Sequence, residues 1–271
     1  MRIAITHSTT YRTAGAARAI QALRLTPPSG PSQTVVSWHV RVAGSGLPMR
    51  YTDAFGNIVE LVASHGPVTD VRIVAEGVVE TTDTAGVVGA TGEAMVPAVC
   101  LRSTPLTEAD DAIRGFAESC RRDSTLSTLH AILDELHASV AYDTSASTSD
   151  TTAMAAFFAK RGVCQDHAHI FVAAARTLNI PARYVTGYLL IDGGESVAHH
   201  AWAEAMTAEL GWVGFDAANG QCPTERYVRL AIGLDALEAA PIRGIRLGGA
   251  AESLHVDVSV QESQSQSQSQ A

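Results

Sequence analysis

Apolar and polar positions alternate along the first ninety residues with the period of two that is typical of strands with one buried face. Residues 35–42, 58–62 and 71–79 form three such runs, and glycine and proline residues lie between them as turn signals. Several short strands at this spacing favour a small sandwich. We therefore predict an N-terminal β-sandwich-like domain over residues 1–90.

The next segment, residues 91–106, has no clear period and contains Gly92, Pro97 and Pro105. Such a composition is typical of a connection rather than of a helix or a strand. We interpret the segment as a linker to a second domain that begins at Thr107.

From Thr107 the apolar positions recur with the 3.6-residue period of amphipathic helices. Thr107 opens a capping-box-like start of the first helix, and residues 129–140 belong to the second. Asp150 is a candidate N-cap for a third helix. A fourth is expected to begin at about Cys164 and to end before Pro181, because proline cannot continue a helix.

Strands are predicted again after these helices, over residues 183–191, 198–206 and 212–215, with Gly193 and Gly194 at a turn. Helices that precede a sheet are typical of α+β proteins. We therefore predict the α+β class, with helices packed on an antiparallel sheet.

A last strand is predicted by the valines at 256, 258 and 260, which alternate with polar residues. We accordingly extend the second domain over residues 107–260. The glutamines and serines of residues 261–271 provide no apolar side chains to bury, so we expect a disordered tail.

The composition and the net charge of the chain exclude some classes of function. The chain has 271 residues, 46% of them hydrophobic and 17% charged, and can bury a large core. Its net charge of −9 repels phosphate groups and anionic lipids, so neither a nucleic acid nor a membrane is an expected partner. The amino terminus has no apolar segment of signal-peptide length, and we expect a cytoplasmic protein.

The four cysteines are too few and too scattered to form a disulfide framework. Cys164 differs from the others because it lies in the predicted first turn of a helix, where free N–H groups and the helix dipole stabilise a thiolate. A small core residue is the alternative for any single cysteine. A base and an orienting group near Cys164 would favour a nucleophile.

His200 and Asp216 are candidates for these two roles. If their strands form a hairpin centred at Ala208, they lie opposite each other on one face of the sheet. Cys164, His200 and Asp216 could then act as nucleophile, base and orienting group. The register is an assumption, since a slip of one residue would place the two side chains on opposite faces.

Several short sequence motifs are informative as a set. They are GVCQDHAH at 162–169, GY at 187–188, HAWAE at 200–204 and GWVGFD at 211–216, with HSTTY at 7–11, LRLTP at 23–27 and DAFGN at 53–57. In their order, spacing and local context these motifs resemble those of the bacterial transglutaminase-like proteins, which share the papain-like cysteine fold. The resemblance covers nearly the whole chain apart from the tail, and it includes the β domain that precedes the catalytic core in many bacterial members.

The resemblance implies that Cys164 is the nucleophile, that His200 is the base and that Asp216 completes the triad. Many members continue from the aspartate as Asp-Pro-Thr-Asn, whereas this chain continues as Ala217, Ala218 and Asn219. The loop beside the triad is therefore expected to have a different shape.

Five residues near the triad words are candidates for contact with a substrate: Gln165, Asp166, Tyr188, Trp202 and Asn219. Structural roles compete with this one. An acidic residue in the first turn, such as Asp166, commonly interacts with the helix dipole. The aromatic side chains of Tyr188 and Trp202 are equally suited to a core.

A metal site is the other reading of the histidine-rich helix. On a helix, however, His167 and His169 lie about 60° and about 140° from Cys164. The three side chains cannot meet at one ion unless the helix bends. We expect neither a metal ion nor another cofactor.

The implied reaction is acyl transfer from a peptide or other amide substrate. The Cys164 thiolate attacks the carbonyl, His200 protonates the departing amine, and a thioester forms. The backbone N–H of Cys164 is a natural oxyanion donor, and a second donor stays open. Lys160 is the only lysine, which disfavours extensive self-cross-linking. We thus favour a cysteine protease or amidase.

Two alternatives remain at this level: a transglutaminase that uses an amine acceptor, and a non-catalytic binding or assembly module that keeps the fold. The sequence leaves the oligomeric state open.

Overall fold

The computed structural model describes residues 1–43, 45–63, 68–89, 96–191, 199–248 and 252–263. The predicted turn at Gly193 and Gly194, residues 91–95 of the predicted linker, and residues 264–271 of the predicted tail lie outside them. The strands are β1 (Arg2–Thr26), β2 (Gln33–Val42), β3 (Met49–Thr52), β4 (Ile58–Ala63), β5 (Val68–Thr81), β6 (Val87–Gly89), β7 (Ala141–Tyr142), β8 (Arg161–Gly162), β9 (Ala182–Leu189), β10 (His199–Thr207), β11 (Gly211–Phe215), β12 (Tyr227–Gly233), β13 (Ile242–Gly248) and β14 (Glu252–Glu262). The helices are α1 (Asp111–Ser119), α2 (Thr125–Ser139), α3 (Ala153–Ala159) and α4 (Cys164–Thr177), with a short 3-10 helix over Pro97–Leu101.

The first sheet is built around β1, which the sequence pattern did not predict. Within the described residues the order is β2-β5-β1-β4-β3, and β13 and β14 also pair with β1. The first half of β1 pairs with β5 and β14, and the second half pairs with β4 and β13. All seven strands form a single hydrogen-bonded sheet, so the predicted sandwich is not confirmed.

Each sheet takes strands from across the predicted domain boundary. The sequence assigned β13 and most of β14 to the unit 107–260, yet both pair with β1 in the first sheet. Conversely, β6 lies within the predicted unit 1–90 and pairs with β11 in the second sheet. Part of the predicted linker is also packed, because Cys100 in the 3-10 helix is fully buried.

The second sheet has the strand order β12-β9-β10-β11-β6 and is antiparallel throughout. Helix α4 packs against β10 and β9, and α1, α2 and α3 pack against α4. The α+β class is therefore confirmed. Because α4 is surrounded in this way, every residue from Asp166 to Arg176 is buried.

The four predicted helices are present, and their first residues follow from side-chain caps. Asp110 accepts a hydrogen bond from the Ile113 N–H at 2.9 Å, so α1 begins four residues after Thr107. Thr152 caps α3 in the place predicted for Asp150. None of the described helices combines the length and the apolar character needed to cross a bilayer.

Two side-chain amides hold loops of the first sheet on β12. Gln33 Nε2 donates to the Arg229 carbonyl at 2.9 Å, and the Arg229 N–H donates to Gln33 Oε1 at 2.7 Å. Asn57 makes the same pair of bonds with the backbone of Ile232. These bonds satisfy polar groups on an edge strand. They also fix β12, which carries one wall of the site described next.

Candidate active site

Cys164 is the first residue of α4, and the preceding turn is tightly specified. Asp166 Oδ2 accepts a hydrogen bond from the Val163 N–H at 2.7 Å, and the Asp166 side chain is fully buried. A Cβ at Gly162 would lie only 2.6 Å from Asp166, so this position requires glycine. Asp166 thus caps the helix that presents the half-buried Cys164.

His200 and Asp216 are in contact, although the predicted register was wrong. Ala203 pairs with Phe215, which centres the hairpin on Glu209 instead of Ala208. His200 and Asp216 are therefore diagonal neighbours rather than directly opposite each other. A shift of two residues keeps both side chains on one face, and His200 Nε2 lies 2.6 Å from Asp216 Oδ2.

The physical reason for the register lies in the turn. The Thr207 hydroxyl accepts the Leu210 N–H at 3.1 Å and donates to the Gly211 carbonyl at 3.2 Å. Gly211 has a φ of 71°, a left-handed conformation that glycine adopts without strain. Three residues, 208–210, therefore close the hairpin.

Cys164 packs beside Ala201, the neighbour of His200, and its interaction with the imidazole helps to raise the pKa of His200. Since Nε2 faces Asp216, Nδ1 is the ring nitrogen left for the thiol. The imidazole thus lies between the nucleophile and the carboxylate, which is the connectivity of a catalytic triad. The three residues come from α4, β10 and the end of β11.

Asp216 is fully buried and is oriented by donors on several sides. Its Oδ2 accepts hydrogen bonds from Asn219 Nδ2 at 2.7 Å and from the Tyr227 hydroxyl at 2.8 Å. Its Oδ1 accepts the Ala218 N–H at 3.1 Å. The carboxylate therefore cannot turn away from His200 without losing several bonds.

The loop that departs from the common family pattern is held by α2. His137 Nδ1 lies 3.1 Å from the Ala217 carbonyl, and a Cβ at Gly220 would lie 2.7 Å from the His137 ring. The loop closes where Asp216 and Gln221 exchange backbone hydrogen bonds. It positions Asn219, whose amide reaches both Asp216 and His200.

The electrostatics of the pair follow from these contacts. Burial alone would lower the pKa of His200, but the bonds and charges of Asp216 and Cys164 outweigh it and raise the pKa from 6.5 to about 10. Burial would raise the pKa of Asp216, yet its interactions with His200, Asn219 and Tyr227 lower it. At neutral pH the pair is an imidazolium and a carboxylate.

The other candidates for substrate contact lie in different surroundings. Asn219 lies beside the triad, and Trp202 stacks on His200 with ring centroids 6.2 Å apart, but Trp202 is only 3% exposed. Gln165 follows Cys164 and donates to the Ser149 carbonyl at 3.3 Å. Tyr188 is fully buried, and its hydroxyl lies 2.9 Å from His7 Nδ1 on β1. The structure therefore gathers Gln165, Trp202 and Asn219 near the triad and places Tyr188 between the sheets.

The neighbouring histidines of α4 have structural contacts. His167 lies with Nδ1 2.9 Å from the Val163 carbonyl and Nε2 3.1 Å from the Val140 carbonyl. His169 Nε2 accepts the Ala236 N–H at 3.1 Å. In the part of the chain that the structure describes, no cluster of three potential ligands is placed to hold a metal ion.

Sequence reasoning missed Tyr227, which contacts Asp216, and Tyr142, which lies beside the start of α4. Tyr227 begins β12, and the alternation of residues 227–232 is a strand signal that could have revealed it. Tyr142 lies on β7 opposite Gly162 of β8, and no motif singled it out. The positions of both tyrosines depend on pairing between segments that are distant along the chain.

Comparisons with known proteins identify two matching family models. Residues 114–217 match the family model of the transglutaminase-like superfamily, and residues 3–80 match that of the bacterial transglutaminase-like N-terminal region. An uncharacterized protein of Mycobacterium leprae is 27% identical over 275 residues, covering 96% of this chain and 98% of that protein. An uncharacterized protein of Mycobacterium tuberculosis is 26% identical over 292 residues, with coverage of 96% and 91%.

A solved structure shares the fold. It is that of a candidate cysteine protease from Cytophaga hutchinsonii, with a TM-score of 0.75 at 23% identity. The match covers 97% of this chain and 92% of that one, and therefore includes both sheets.

Proposed function

Because the chain belongs to the bacterial transglutaminase-like superfamily, we propose that it is a cysteine enzyme that cleaves amide bonds through a Cys164 thioester. We further propose that water, rather than an amine, resolves the thioester. The observation that carries the proposal is the 2.6 Å contact between His200 and Asp216, with Cys164 at the start of α4 packed beside Ala201.

Acylation begins from a Cys164 thiolate beside the His200 imidazolium, which already carries the proton. The raised pKa of His200 favours this state, since the imidazolium is stabilised by the Asp216 carboxylate. The thiolate then attacks the amide carbonyl, and a C–S bond forms. When the C–N bond breaks, His200 gives its proton to the departing amine, and the acyl group remains on Cys164 as a thioester.

Deacylation reverses the roles of the same groups. His200 removes a proton from water, the resulting hydroxide attacks the thioester carbonyl, and the C–S bond breaks. The carboxylic acid leaves, and the Cys164 thiolate and the His200 imidazolium are restored. An amine in the place of water would give a new amide, which is the cross-linking reaction.

The surroundings of the single lysine support hydrolysis. Lys160 lies at the end of α3 with its Nζ 3.5 Å from the centroid of the Phe157 ring. This cation–π contact holds the one lysine side chain against its own helix. Self-cross-linking through lysine therefore has a single acceptor within the chain, and that side chain is engaged by an aromatic ring.

The test uses fluorogenic peptide amides in the presence of dansylcadaverine, an amine acceptor that reports on cross-linking. Wild type and Cys222→Ser should release the fluorophore and give the free acid by mass spectrometry, whereas Cys164→Ser should release none. Cys222 is a matched control because its thiol is also half-buried. A dansyl adduct would instead assign a transglutaminase, and absence of turnover with an unreactive Cys164 would favour a binding module.

A further inference from the structure

We propose that the Tyr142 hydroxyl is the second oxyanion donor of this site, beside the backbone N–H of Cys164. The inference rests on the proposed acyl transfer, since an oxyanion forms only in that reaction. It assigns Tyr142 as a catalytic residue that neither the triad nor the matching sequence words include.

The backbone places Tyr142 beside the nucleophile. Strands β7 and β8 are parallel, and Tyr142 pairs directly with Gly162, two residues before Cys164. The Asp143 N–H donates to the Gly162 carbonyl at 2.9 Å, and the Ala141 N–H donates to the Lys160 carbonyl at 2.9 Å. These bonds on both sides of Tyr142 fix its position relative to the start of α4.

The Tyr142 side chain is partly exposed beside the first turn of α4. It is 56% exposed, and its ring centroid lies 6.3 Å from that of His167, which is one turn beyond Cys164 on α4. In contrast, Tyr184 also lies near Cys164 but is only 4% exposed. Tyr142 is therefore accessible to a substrate that reaches the thiol, whereas Tyr184 is not.

The hydroxyl of Tyr142 is available as a donor. It has no hydrogen-bond partner among the residues that the structure describes. The hydroxyls of Tyr188 and Tyr227 are instead committed to His7 and Asp216. A phenol without an internal partner can bond to a ligand without breaking a bond of the protein.

The local charges keep this donor protonated. Partial burial and the negative charges of Cys164 and Asp216 raise the pKa of Tyr142. The pairing of Tyr142 with Gly162 places its phenol beside the start of α4, where these charges act. A protonated phenol there can donate to an oxyanion, which two donors stabilise better than one.

The donor acts on one step of the reaction. With p-nitrophenyl acetate, the Cys164 thiolate adds to the carbonyl carbon, a C–S bond forms, and the carbonyl electron pair moves onto oxygen. Tyr142 and the Cys164 N–H donate to that oxygen. The electron pair then returns, the C–O bond to p-nitrophenolate breaks, and acetyl-Cys164 remains. Alkylation of Cys164 by iodoacetamide forms no oxyanion and does not use the donor.

This difference gives the experiment. The p-nitrophenolate burst and the iodoacetamide rate are measured for wild type, Tyr142→Phe and Tyr51→Phe, with Cys164→Ser as the blank. Tyr51 is a matched control because it is an exposed tyrosine on β3 of the first sheet. Tyr142→Phe should lower the acylation rate about 100-fold, the order found when one oxyanion donor is removed. Its iodoacetamide rate, and both rates of Tyr51→Phe, should match wild type.

Three outcomes would overturn the proposal. In the first, Tyr142→Phe acylates as fast as wild type. In the second, its acylation and alkylation rates fall together, which would assign Tyr142 to the thiol rather than to the oxyanion. In the third, wild type gives no burst above Cys164→Ser. That result would remove the acyl-transfer function itself, and it is distinguished by the behaviour of the wild-type protein.

Discussion

The adjacent histidines His199 and His200 lie on β10 and differ sharply in their electrostatics. Interactions with Asp216 and Cys164 raise the pKa of His200 to about 10. Burial, followed by repulsion from His7, lowers the pKa of His199 to about 3. Burial acts against the charged form of both rings. The two differ because one has a carboxylate partner and the other has a second histidine.

The alternation of side chains along a strand separates these environments. His200 contributes to the candidate active site, whereas the His199 ring lies 4.9 Å from that of His7, which comes from β1. His7 contacts the Tyr188 hydroxyl at 2.9 Å and the Thr9 hydroxyl at 3.1 Å. The His200 side is thus suited to chemistry, and the His199 side joins the two sheets with neutral polar groups.

Removal of the Asp216 carboxylate should have the largest effect, because this group makes His200 differ from His199. In Asp216→Asn, the imidazolium of His200 loses its counter-ion, so its pKa should fall. Acylation by p-nitrophenyl acetate should slow by about 10⁴-fold, as for the equivalent change in a serine triad. Burst kinetics measure the rate, and Asp70→Asn, at an exposed aspartate, should match wild type. A loss of less than tenfold would contradict a triad role for Asp216.

The parts of this site that the sequence predicted are those with local signals. Pro181 and the apolar period located α4, and the position of Cys164 at its start follows from them. The hairpin was recognised from its two short strands, but its register depended on the hydroxyl of Thr207 and on Gly211. The predicted register was wrong by two residues. Because two is an even number, His200 and Asp216 still lie on the same face of the sheet.

The parts that could not be predicted depend on distant segments. Strand β1 runs from Arg2 to Thr26, and its middle is rich in alanine and threonine rather than in large apolar residues. It is stabilised by partners on both sides, two of which, β13 and β14, lie more than 200 residues away along the chain. Local periodicity contains no information on such pairs.

We expect His7 and His199 to make the stability of the protein depend on pH with the opposite sign to the contribution of His200. Burial lowers the pKa of His7 from 6.5 to about 4. Between these values the unfolded chain binds more protons, so this contribution is complete above pH 6.5 and is lost as the pH falls toward 4. His200, with its raised pKa, contributes fully below pH 6.5 and loses its contribution as the pH rises through 10.

Replacement of His7 by glutamine, which does not titrate, should remove the acid-side contribution. The titration of His7 alone should lower the free energy of unfolding of wild type by about 2 kcal/mol when the pH falls from 7.5 to 5. His7→Gln should lose correspondingly less over that interval in urea denaturation. His39→Gln, at an exposed histidine on β2, is the control and should follow wild type. Equal losses in wild type and His7→Gln would show that His7 does not titrate as a buried group.

The smallest expected effect concerns how Asp216 is held toward His200. Tyr227→Phe removes the 2.8 Å hydrogen bond to Asp216 Oδ2 but keeps the ring against Trp202. A bond to a charged group is worth about 1.5 kcal/mol, so kcat should fall about tenfold. KM should not change, because Tyr227 is only 5% exposed and acts as a positioning residue. Asn219→Ala removes the other uncharged side-chain donor to Oδ2 and provides the matched variant. If KM rose while kcat held, Tyr227 would contact the substrate instead, and the orientation of Asp216 would depend on Asn219 and the backbone of its loop.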